Sequence, residues 1–354
     1  INKWSGQLDV EGLLMLKKLV AVNYRSLKDL TVEFGSFNVL IGPNASGKSN
    51  VMDCLAFLAS LARREAPGNL LGARGGFNRV RFGGKAERVK LEATVQMEDK
   101  TFAYTAELHA EGWSEVLETP SERHEGSYGS LGYPSTCLGR EPELASYMAS
   151  WAFYNFSTRA MRHVLPVKKS LALAPDGSNL AQVLMTLIHE LPRVYARIEE
   201  TLRQAMPEVE ELLTPLTEDG ETYIAIREKG FTEPFDYHQL SDGTLKLLAY
   251  ITAVSLPGPK LICFEEPENF IHPHLMELLV DVLKKSGKQI VIATHSPLLV
   301  DHVEPGDVIV VEKDPEKGTV ARRIEDPGAL REKLNELGVG LGDYWRSGAL
   351  GGVP

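Results

Sequence analysis

One stretch constrains this chain more than any other, and it reads Gly42-Pro43-Asn44-Ala45-Ser46-Gly47-Lys48-Ser49. It follows the pattern G-x-x-x-x-G-K-S of a phosphate-binding loop. Residues 37–41 before it form a short apolar run of the buried-strand type, and residues 49–64 after it carry apolar side chains at helical spacing. Because the pattern lies between a predicted strand and a predicted helix, the sequence predicts an α/β fold with a nucleotide site.

The residue types of this loop indicate how it would hold a nucleotide. Glycines allow the backbone to wrap around phosphates, and the N–H groups at the start of the following helix point at the anion. Lys48 is predicted to reach the outer phosphates, and the Ser49 hydroxyl is predicted to ligate magnesium.

Composition narrows the class of protein. The 354 residues carry a formal net charge of −10. This charge argues against a protein that binds nucleic acid as a polycation, but a local basic face is still compatible with it. The three cysteines are isolated, so they suggest neither a disulfide framework nor a zinc site and fit a reducing cytoplasm. No apolar run approaches the roughly 18 residues of a membrane helix, and no secretory signal is evident, so we expect a cytoplasmic protein without a membrane partner.

The local charge reverses between Arg63 and Lys90. This stretch holds eight basic residues and two acidic ones in an otherwise acidic chain. Two interpretations stay open: a solvated loop surface, or a contact with the phosphate backbone of DNA, which would make binding salt-dependent.

Two adjacent carboxylates, Glu265 and Glu266, follow a predicted buried strand at residues 260–264. Carboxylates in such a place are costly unless a cation meets them. Bound magnesium and a water nucleophile would supply that partner. We expect one carboxylate to face the metal and the next to polarise the attacking water.

Two further motifs accompany the acidic pair. Ser241, Asp242 and Gly243 precede a predicted helix, where a serine and a glycine offer a second anion site, or simply a helix cap. His295 follows the next apolar strand, where it could contact a γ-phosphate or orient the water.

Periodicity predicts the remaining organisation. Residues 89–97 and 101–108 alternate apolar and polar and predict an antiparallel hairpin, whereas the polar residues 111–146 predict a long loop. Two amphipathic helices are expected between residues 179 and 206. From residue 240 onward, helices and strands alternate as in a helix-covered parallel sheet.

Taken together, these motifs resemble those of the ABC-type ATPases, and within them the RecF-like and SMC-like heads. Residues 42–49 match Walker A, 240–243 the signature, 261–266 Walker B, 268–273 the D-loop and His295 the switch histidine. Asn44 and Asn50 are typical of the DNA-associated branch. The resemblance runs from about residue 16 to about residue 312, and it is greatest to stand-alone AAA-type ATPases that share this core with OLD-family proteins.

The resemblance implies a P-loop NTPase fold with a mainly parallel sheet, an antiparallel β subdomain and a helical lobe. It implies ATP bound by residues 42–50 and by Ser241, Asp242 and Gly243, Mg²⁺ on Ser49 and Glu265, and catalysis by Glu266 and His295. Five segments are expected: an extension (1–14), the N-terminal part of the head (15–110), a loop and helical lobe (111–235), the C-terminal part of the head (236–315) and a tail (316–354). Two copies would pair head-to-tail on ATP.

The sequence departs from the family pattern at several positions. Glu265 stands where the family carries aspartate on the metal side, and Asp242 stands where transporters carry glycine. No glutamine is clearly placed as a lid residue, since Gln96 falls within the predicted hairpin. Tyr24 and Arg25 are candidates for contacting adenine by position alone.

Two functions of different class remain open. The leading one is an ATPase switch that acts on duplex DNA, in repair or in defence against foreign DNA, with an effector or nuclease protein as partner. The alternative is an ATP-gated interaction module that controls an effector protein without touching DNA. The signature and D-loop forms argue against a transporter subunit, and no further carboxylate cluster suggests that the chain is itself a nuclease.

Overall fold

The computed structural model describes residues 14–351, so residues 1–13 of the predicted extension lie outside the described part of the chain. The described strands are β1 (Met15–Tyr24), β2 (Leu27–Glu33), β3 (Phe37–Ile41), β4 (Val89–Met97), β5 (Lys100–Leu108), β6 (Trp113–Glu118), β7 (Arg123–Tyr128), β8 (Ala152–Tyr154), β9 (Leu165–Pro166), β10 (Val209–Leu213), β11 (Glu221–Thr222), β12 (Ala225–Glu228), β13 (Phe235–Asp236), β14 (Leu261–Glu265), β15 (Gln289–Thr294), β16 (Val308–Asp314) and β17 (Gly318–Arg323). The described helices are α1 (Lys48–Ala62), α2 (Pro67–Ala73), α3 (Phe77–Val80), α4 (Pro142–Ala149), α5 (Thr158–Met161), α6 (Leu180–Glu190), α7 (Pro192–Ala205), α8 (Asp242–Ser255), α9 (Met276–Lys284), α10 (Pro297–Val300), α11 (Pro327–Leu337) and α12 (Leu341–Arg346). Among these helices, none is both long and apolar enough to cross a membrane.

The described residues form two compact units. The first holds residues 14–151, 304–339 and 343–351, and the second holds residues 152–303 and 340–342. The phosphate loop belongs to the first unit, and the other predicted site motifs belong to the second.

The first unit is built on a sheet in which the described strands follow the order β7-β6-β5-β4-β1-β2-β17-β16-β3. β16 and β3 run parallel, with Val308 opposite Val39, and the other neighbours are antiparallel. All of β3 is buried, as its largely apolar sequence predicts for an inner strand. This strand leads directly into the phosphate loop.

The predicted hairpin is confirmed. β4 and β5 pair antiparallel, from Val89 opposite Leu108 to Met97 opposite Lys100. Burial alternates along both strands, with the apolar side chains inward. The period of two in the sequence therefore identified both the strands and the covered face.

The predicted loop over residues 111–146 is wrong. The chain there extends the sheet with β6 and β7, and α4 follows. The pattern misled because Glu115 occupies an inward position of β6 that is normally apolar, and because β7 carries polar side chains on both faces. The Glu115 carboxylate is almost fully buried and accepts hydrogen bonds from Ser135 Oγ at 2.6 Å and from Thr136 N at 2.7 Å, which replace water.

The second unit contains three parallel strands in the order β15-β14-β8. Glu265 ends β14 and Thr294 ends β15. Since parallel strands present their carboxyl ends at one edge of a sheet, the residues that follow them emerge together. The two helices predicted between residues 179 and 206 are confirmed as α6 and α7.

The last part of the chain holds an element that the sequence pattern did not predict. Segment 316–354, predicted as a tail, contributes β17, which pairs with β16 and also meets β2 where Gly318 lies opposite Leu27. A residue of this strand, Thr319, is fully buried.

Candidate functional site

Lys48 lies inside the phosphate loop. Its side chain is 7% exposed, and its Nζ donates hydrogen bonds to the carbonyl oxygens of Gly42 at 2.7 Å and Pro43 at 3.0 Å. Main-chain oxygens therefore hold the ammonium group within the loop. This is the place where the motif requires a cation that can meet phosphate oxygens.

Two glycines of the loop are required by close approach. A Cβ at Gly42 would lie 2.1 Å from the carbonyl oxygen of Val311, and a Cβ at Gly47 would lie 2.2 Å from Thr319 Oγ1. Gly47 also has a φ of 113°, which L side chains rarely adopt. Only glycine at these positions lets the loop lie against β16 and β17.

The start of α1 is suited to an anion. Gly47 is its N-cap, and within the described chain no side chain caps the helix and its first turn has no acidic residue. The N–H groups at the start of a helix point out of its N-terminal end, where they can meet an anion. The buried Ser46 hydroxyl has no hydrogen-bond partner among the described residues, and Ala45 is held at a φ of 63°, a strained conformation. The loop and the helix start together therefore suit an oxyanion.

The other predicted loop residues line the same turn. Asn44 and Ser49 are exposed. Asn50 is half-buried, and its Nδ2 donates to Ser26 Oγ at 2.7 Å. The structure thus places residues 42–50 on one continuous loop and helix start.

In the second unit, Ser241 caps α8, and its Oγ accepts a hydrogen bond from Thr244 N at 3.0 Å. Asp242 forms an ion pair with Arg162 at 2.7 Å. Arg162 also donates to the carbonyl oxygen of Leu240 at 2.6 Å. Arg162 therefore fixes the chain that enters the signature, a role that no local motif could reveal because the two segments lie far apart in sequence.

Glu266 and His295 meet at the edge formed by β14 and β15. Glu266 Oε1 lies 2.6 Å from His295 Nδ1, and Glu266 Oε2 accepts a hydrogen bond from Asn269 Nδ2 at 3.2 Å. The Glu266 backbone has a φ of 46° and donates from its N–H to Ala293 at 2.8 Å. A non-glycine residue held in this strained conformation is typical of functional positions. The neighbouring Glu265 is half-buried and accepts from Asn155 Nδ2 at 3.4 Å.

A third carboxylate, Glu268, joins this group and was not predicted as a site residue. Its Oε1 accepts a hydrogen bond from Thr294 Oγ1 at 2.5 Å, and its buried Oε2 has no partner among the described residues. Burial raises the pKa of the Glu268 carboxyl above its ordinary value. One donor atom from each of Glu266, Glu268 and His295 lies within 4.8 Å of the other two.

Lys246 faces these carboxylates from α8. It is 3% exposed, and burial lowers the pKa of its ammonium group, while the charges of Glu268, Asp242 and Glu266 oppose that shift. Its Nζ lies 5.4 Å from the centre of the Phe270 ring. A charged side chain inside the largely apolar run of residues 245–251 was the available signal for this residue.

Three residues considered from position alone have other partners. The Tyr24 side chain is fully buried and donates to Asp53 at 2.5 Å, so its ring is not available to stack on a base. Arg25 forms an ion pair with Asp53 at 3.0 Å. Gln96 donates to the carbonyl oxygen of Glu98 at 3.1 Å, near the end of β4.

Part of the basic stretch is neutralised internally. Arg74 pairs with Asp53 at 2.8 Å, Arg88 with Glu107 at 2.9 Å and Lys90 with Glu92 at 2.8 Å. Five of its basic side chains are exposed: Arg63, Arg64, Arg79, Lys85 and Arg88.

Comparison with known proteins agrees with the motifs. A family model described as "AAA domain, putative AbiEii toxin, Type IV TA system" matches residues 37–129 and 140–301. An OLD nuclease of Thermus scotoductus is 23% identical over 371 residues, which cover 92% of this chain and 68% of that protein. The DNA replication and repair protein RecF of Pediococcus pentosaceus is 51% identical over 47 residues, 13% of each chain.

Solved structures show the same fold. An SMC head bound to the C-winged helix domain of ScpA has a TM-score of 0.63 at 14% identity, covering 87% of this chain and 98% of that chain. The SMC head domain of Pyrococcus furiosus, with an extended coiled coil and bound to the C-terminal domain of ScpA, has a TM-score of 0.62 at 13% identity, covering 92% and 100%. At such identity the likeness shows the fold alone. It confirms the predicted fold, that of a P-loop ATPase head.

Proposed function

Because the chain belongs to this AAA-domain family and is an ABC-type ATPase of the RecF- and SMC-like branch related to the OLD proteins, we propose that it is a switch that binds and hydrolyses ATP. The observation that carries the hydrolytic part is the 2.6 Å contact between Glu266 and His295 at the ends of two parallel strands. A carboxylate oriented by an imidazole is suited to activating water.

In this proposal, residues 42–50 bind the phosphates through the N–H groups at the start of α1 and through Lys48. Ser49 and Glu265 supply oxygen ligands of the kind that Mg²⁺ prefers. The exposed Ser49 hydroxyl and the half-buried Glu265 carboxylate are each hard oxygen donors. The ion would neutralise charge on the phosphate oxygens.

Glu266 serves as the base for hydrolysis. Water attacks the γ-phosphorus as its bond to the bridging oxygen of ADP breaks, and the Glu266 carboxylate receives the proton. His295 holds one carboxylate oxygen and Asn269 the other. Both contacts limit the rotation of the Glu266 side chain.

In this proposal, the switch is the ATP-dependent pairing of two copies of the chain, arranged head-to-tail. Ser241 is exposed at the start of α8, with Gly243 in its first turn. A helix start of this kind can receive the phosphates of a nucleotide held by the partner. ATP binding would then close the dimer, and hydrolysis would open it.

We propose duplex DNA as the ligand of this switch, in repair or in defence against foreign DNA. Arg64, Arg79 and Lys85 are exposed and have room to contact a phosphate backbone. The OLD and RecF relatives support a role of this kind by their names.

A second candidate function is an ATP-gated module that controls an effector or nuclease protein without DNA contact. The observation that favours it is the internal pairing of Arg74, Arg88 and Lys90. Together with the net charge of −10, this pairing reduces the basic surface available to a polyanion.

ATP turnover by the purified protein, with and without linear duplex DNA at low and moderate salt, tests both candidates. Stimulation that fades with salt, and that Arg79→Ala with Lys85→Ala removes, supports the DNA switch. The matched control replaces two exposed lysines elsewhere, Lys313→Ala with Lys317→Ala. Turnover indifferent to DNA favours the effector module, and no turnover under any condition contradicts hydrolysis.

A further inference from the structure

A line of side-chain hydrogen bonds supports the phosphate loop from β17. Thr319 Oγ1 donates to the carbonyl oxygen of Ser46 at 2.8 Å and lies 2.7 Å from Ser26 Oγ. Asn50 Nδ2 in turn donates to Ser26 Oγ at 2.7 Å. All four residues belong to the first unit.

The line has a single direction. Because Thr319 uses its only hydroxyl proton on Ser46, Ser26 must donate to Thr319, and Ser26 can accept from Asn50. Arg25 Nη1 lies 3.5 Å from Asn50 Oδ1 and extends the line in the same sense. Successive donors polarise one another, so the terminal bond to the Ser46 carbonyl is strengthened.

Thr319 is held in place by more than its hydroxyl. It is fully buried, and its N–H donates to the carbonyl oxygen of Ser26 at 2.8 Å. Its side chain fills the space left by Gly47, since a Cβ there would lie 2.7 Å from Thr319 Cγ2. The backbone bond and the packing against Gly47 therefore hold the Thr319 side chain against the loop.

The consequence for the loop follows from peptide geometry. The carbonyl group of Ser46 and the N–H group of Gly47 belong to one planar trans peptide, so they point in opposite directions. A bond that holds the carbonyl toward Thr319 aims the Gly47 N–H away from β17. This N–H is one of the amide groups at the start of α1 that meet an anion.

We propose that Thr319 is a positioning residue for nucleotide binding, acting through the Ser46–Gly47 peptide. This inference rests on the proposed binding of ATP at the loop and deepens it. Thr319 lies outside the residues matched by the family model, 37–129 and 140–301. It contributes orientation rather than a contact with the phosphates.

The test compares Thr319→Val, which keeps the shape and removes the hydroxyl, with Thr319→Ser, which keeps the hydroxyl. The matched control is Thr252→Val, because Thr252 is also fully buried and bonds its hydroxyl within α8, to Leu248. Calorimetric titration with ATP and with ADP measures affinity, and thermal unfolding without nucleotide measures stability.

We expect Thr319→Val to weaken the affinity for both nucleotides about tenfold, the usual scale of one buried hydrogen bond, with a raised KM and little change in kcat. Thr319→Ser should stay within about twofold of the wild type, on the same scale, and Thr252→Val should bind like the wild type. Wild-type affinity in Thr319→Val overturns the inference, as does equal weakening in Thr319→Ser.

If Thr319→Val does not fold, Ser26→Ala serves as a second test. Ser26 is only half-buried, and its replacement by alanine removes the hydroxyl that donates to Thr319. Weaker ATP binding by Ser26→Ala supports the inference, and unchanged binding contradicts it. Failure of the wild type to bind ATP would instead contradict the proposed function, so the two failures are distinguishable.

Discussion

His295 Nδ1 lies 2.6 Å from Glu266 Oε1, although the two residues are separated by α9 and by the whole of β15 in the chain. They meet because β14 and β15 pair in parallel, with Glu265 opposite Ala293. The residue after each strand then emerges at the same edge. The fold of the second unit thereby orients the carboxylate that we propose as the base.

Glu266→Gln should separate ATP binding from hydrolysis. The amide keeps the size of the side chain and cannot accept the proton, so turnover should fall by about 100-fold or more. Binding should persist, and the variant should accumulate as an ATP-bound dimer, seen as a doubled mass in sedimentation with ATP. A variant that stays monomeric and fully active would refute the assignment.

Lys48→Ala should lose ATP binding itself. Its ammonium group is the cation held within the loop by the carbonyls of Gly42 and Pro43. Calorimetric titration with ATP measures the effect, with Lys313→Ala as the control for loss of an exposed lysine. Unchanged ATP affinity in Lys48→Ala would contradict the assignment of this loop as the ATP-binding site.

Local sequence was sufficient where a short segment carries its own signal. Three features depend only on neighbouring residues: the phosphate-loop pattern between β3 and α1, the β4–β5 hairpin and the acidic end of β14. Their positions could therefore be predicted from spacing and periodicity. The alternating pattern also predicts the strands that carry Glu266 and His295, but the contact between the two side chains was not predicted.

Contacts between distant segments could not be predicted. Glu115 can point inward because its carboxylate accepts hydrogen bonds from Ser135 and Thr136. The residues next to Glu115 in the sequence do not indicate these two partners. Arg162 reaches Asp242 across 80 residues of sequence, and Thr319 reaches Ser46 across 273. In each case, a remote segment of the chain supplies the hydrogen bonds that hold a polar side chain in place.

Glu115→Ala should destabilise the first unit. The change leaves several buried donors without an acceptor, among them Ser135 Oγ, Thr136 N and Cys137 N. We expect a loss of about 3 kcal/mol in the free energy of unfolding, measured by urea denaturation. Glu115→Gln keeps one acceptor oxygen and should lose less, and equal stability of Glu115→Ala and the wild type would contradict the role of this carboxylate.

Glu268 should make stability depend on pH. Its pKa is raised by burial, so the folded state binds a proton more readily than the unfolded state does. Its contribution to stability is therefore fully present at low pH and is lost as the pH rises from the ordinary glutamate value through the raised one. Relative to Glu268→Gln, which is always neutral, the wild type should lose stability as the pH rises from about 4, near the ordinary glutamate pKa, into the neutral range.

Thermal unfolding of the two proteins across that range measures the difference. Because Glu268→Gln keeps an oxygen acceptor for Thr294 Oγ1, the turn that carries His295 should remain intact. A difference in stability that does not change with pH would show that the Glu268 carboxyl has its ordinary pKa.

The measurement that tests the central claim most directly is phosphate release from ATP by the wild type and Glu266→Gln, run in parallel with Mg²⁺. The account predicts steady turnover by the wild type and a rate lower by about 100-fold or more in the variant, with ATP still bound. Equal rates in the two proteins would contradict the assignment of Glu266, and a wild type that binds ATP without releasing phosphate would contradict the proposed hydrolysis.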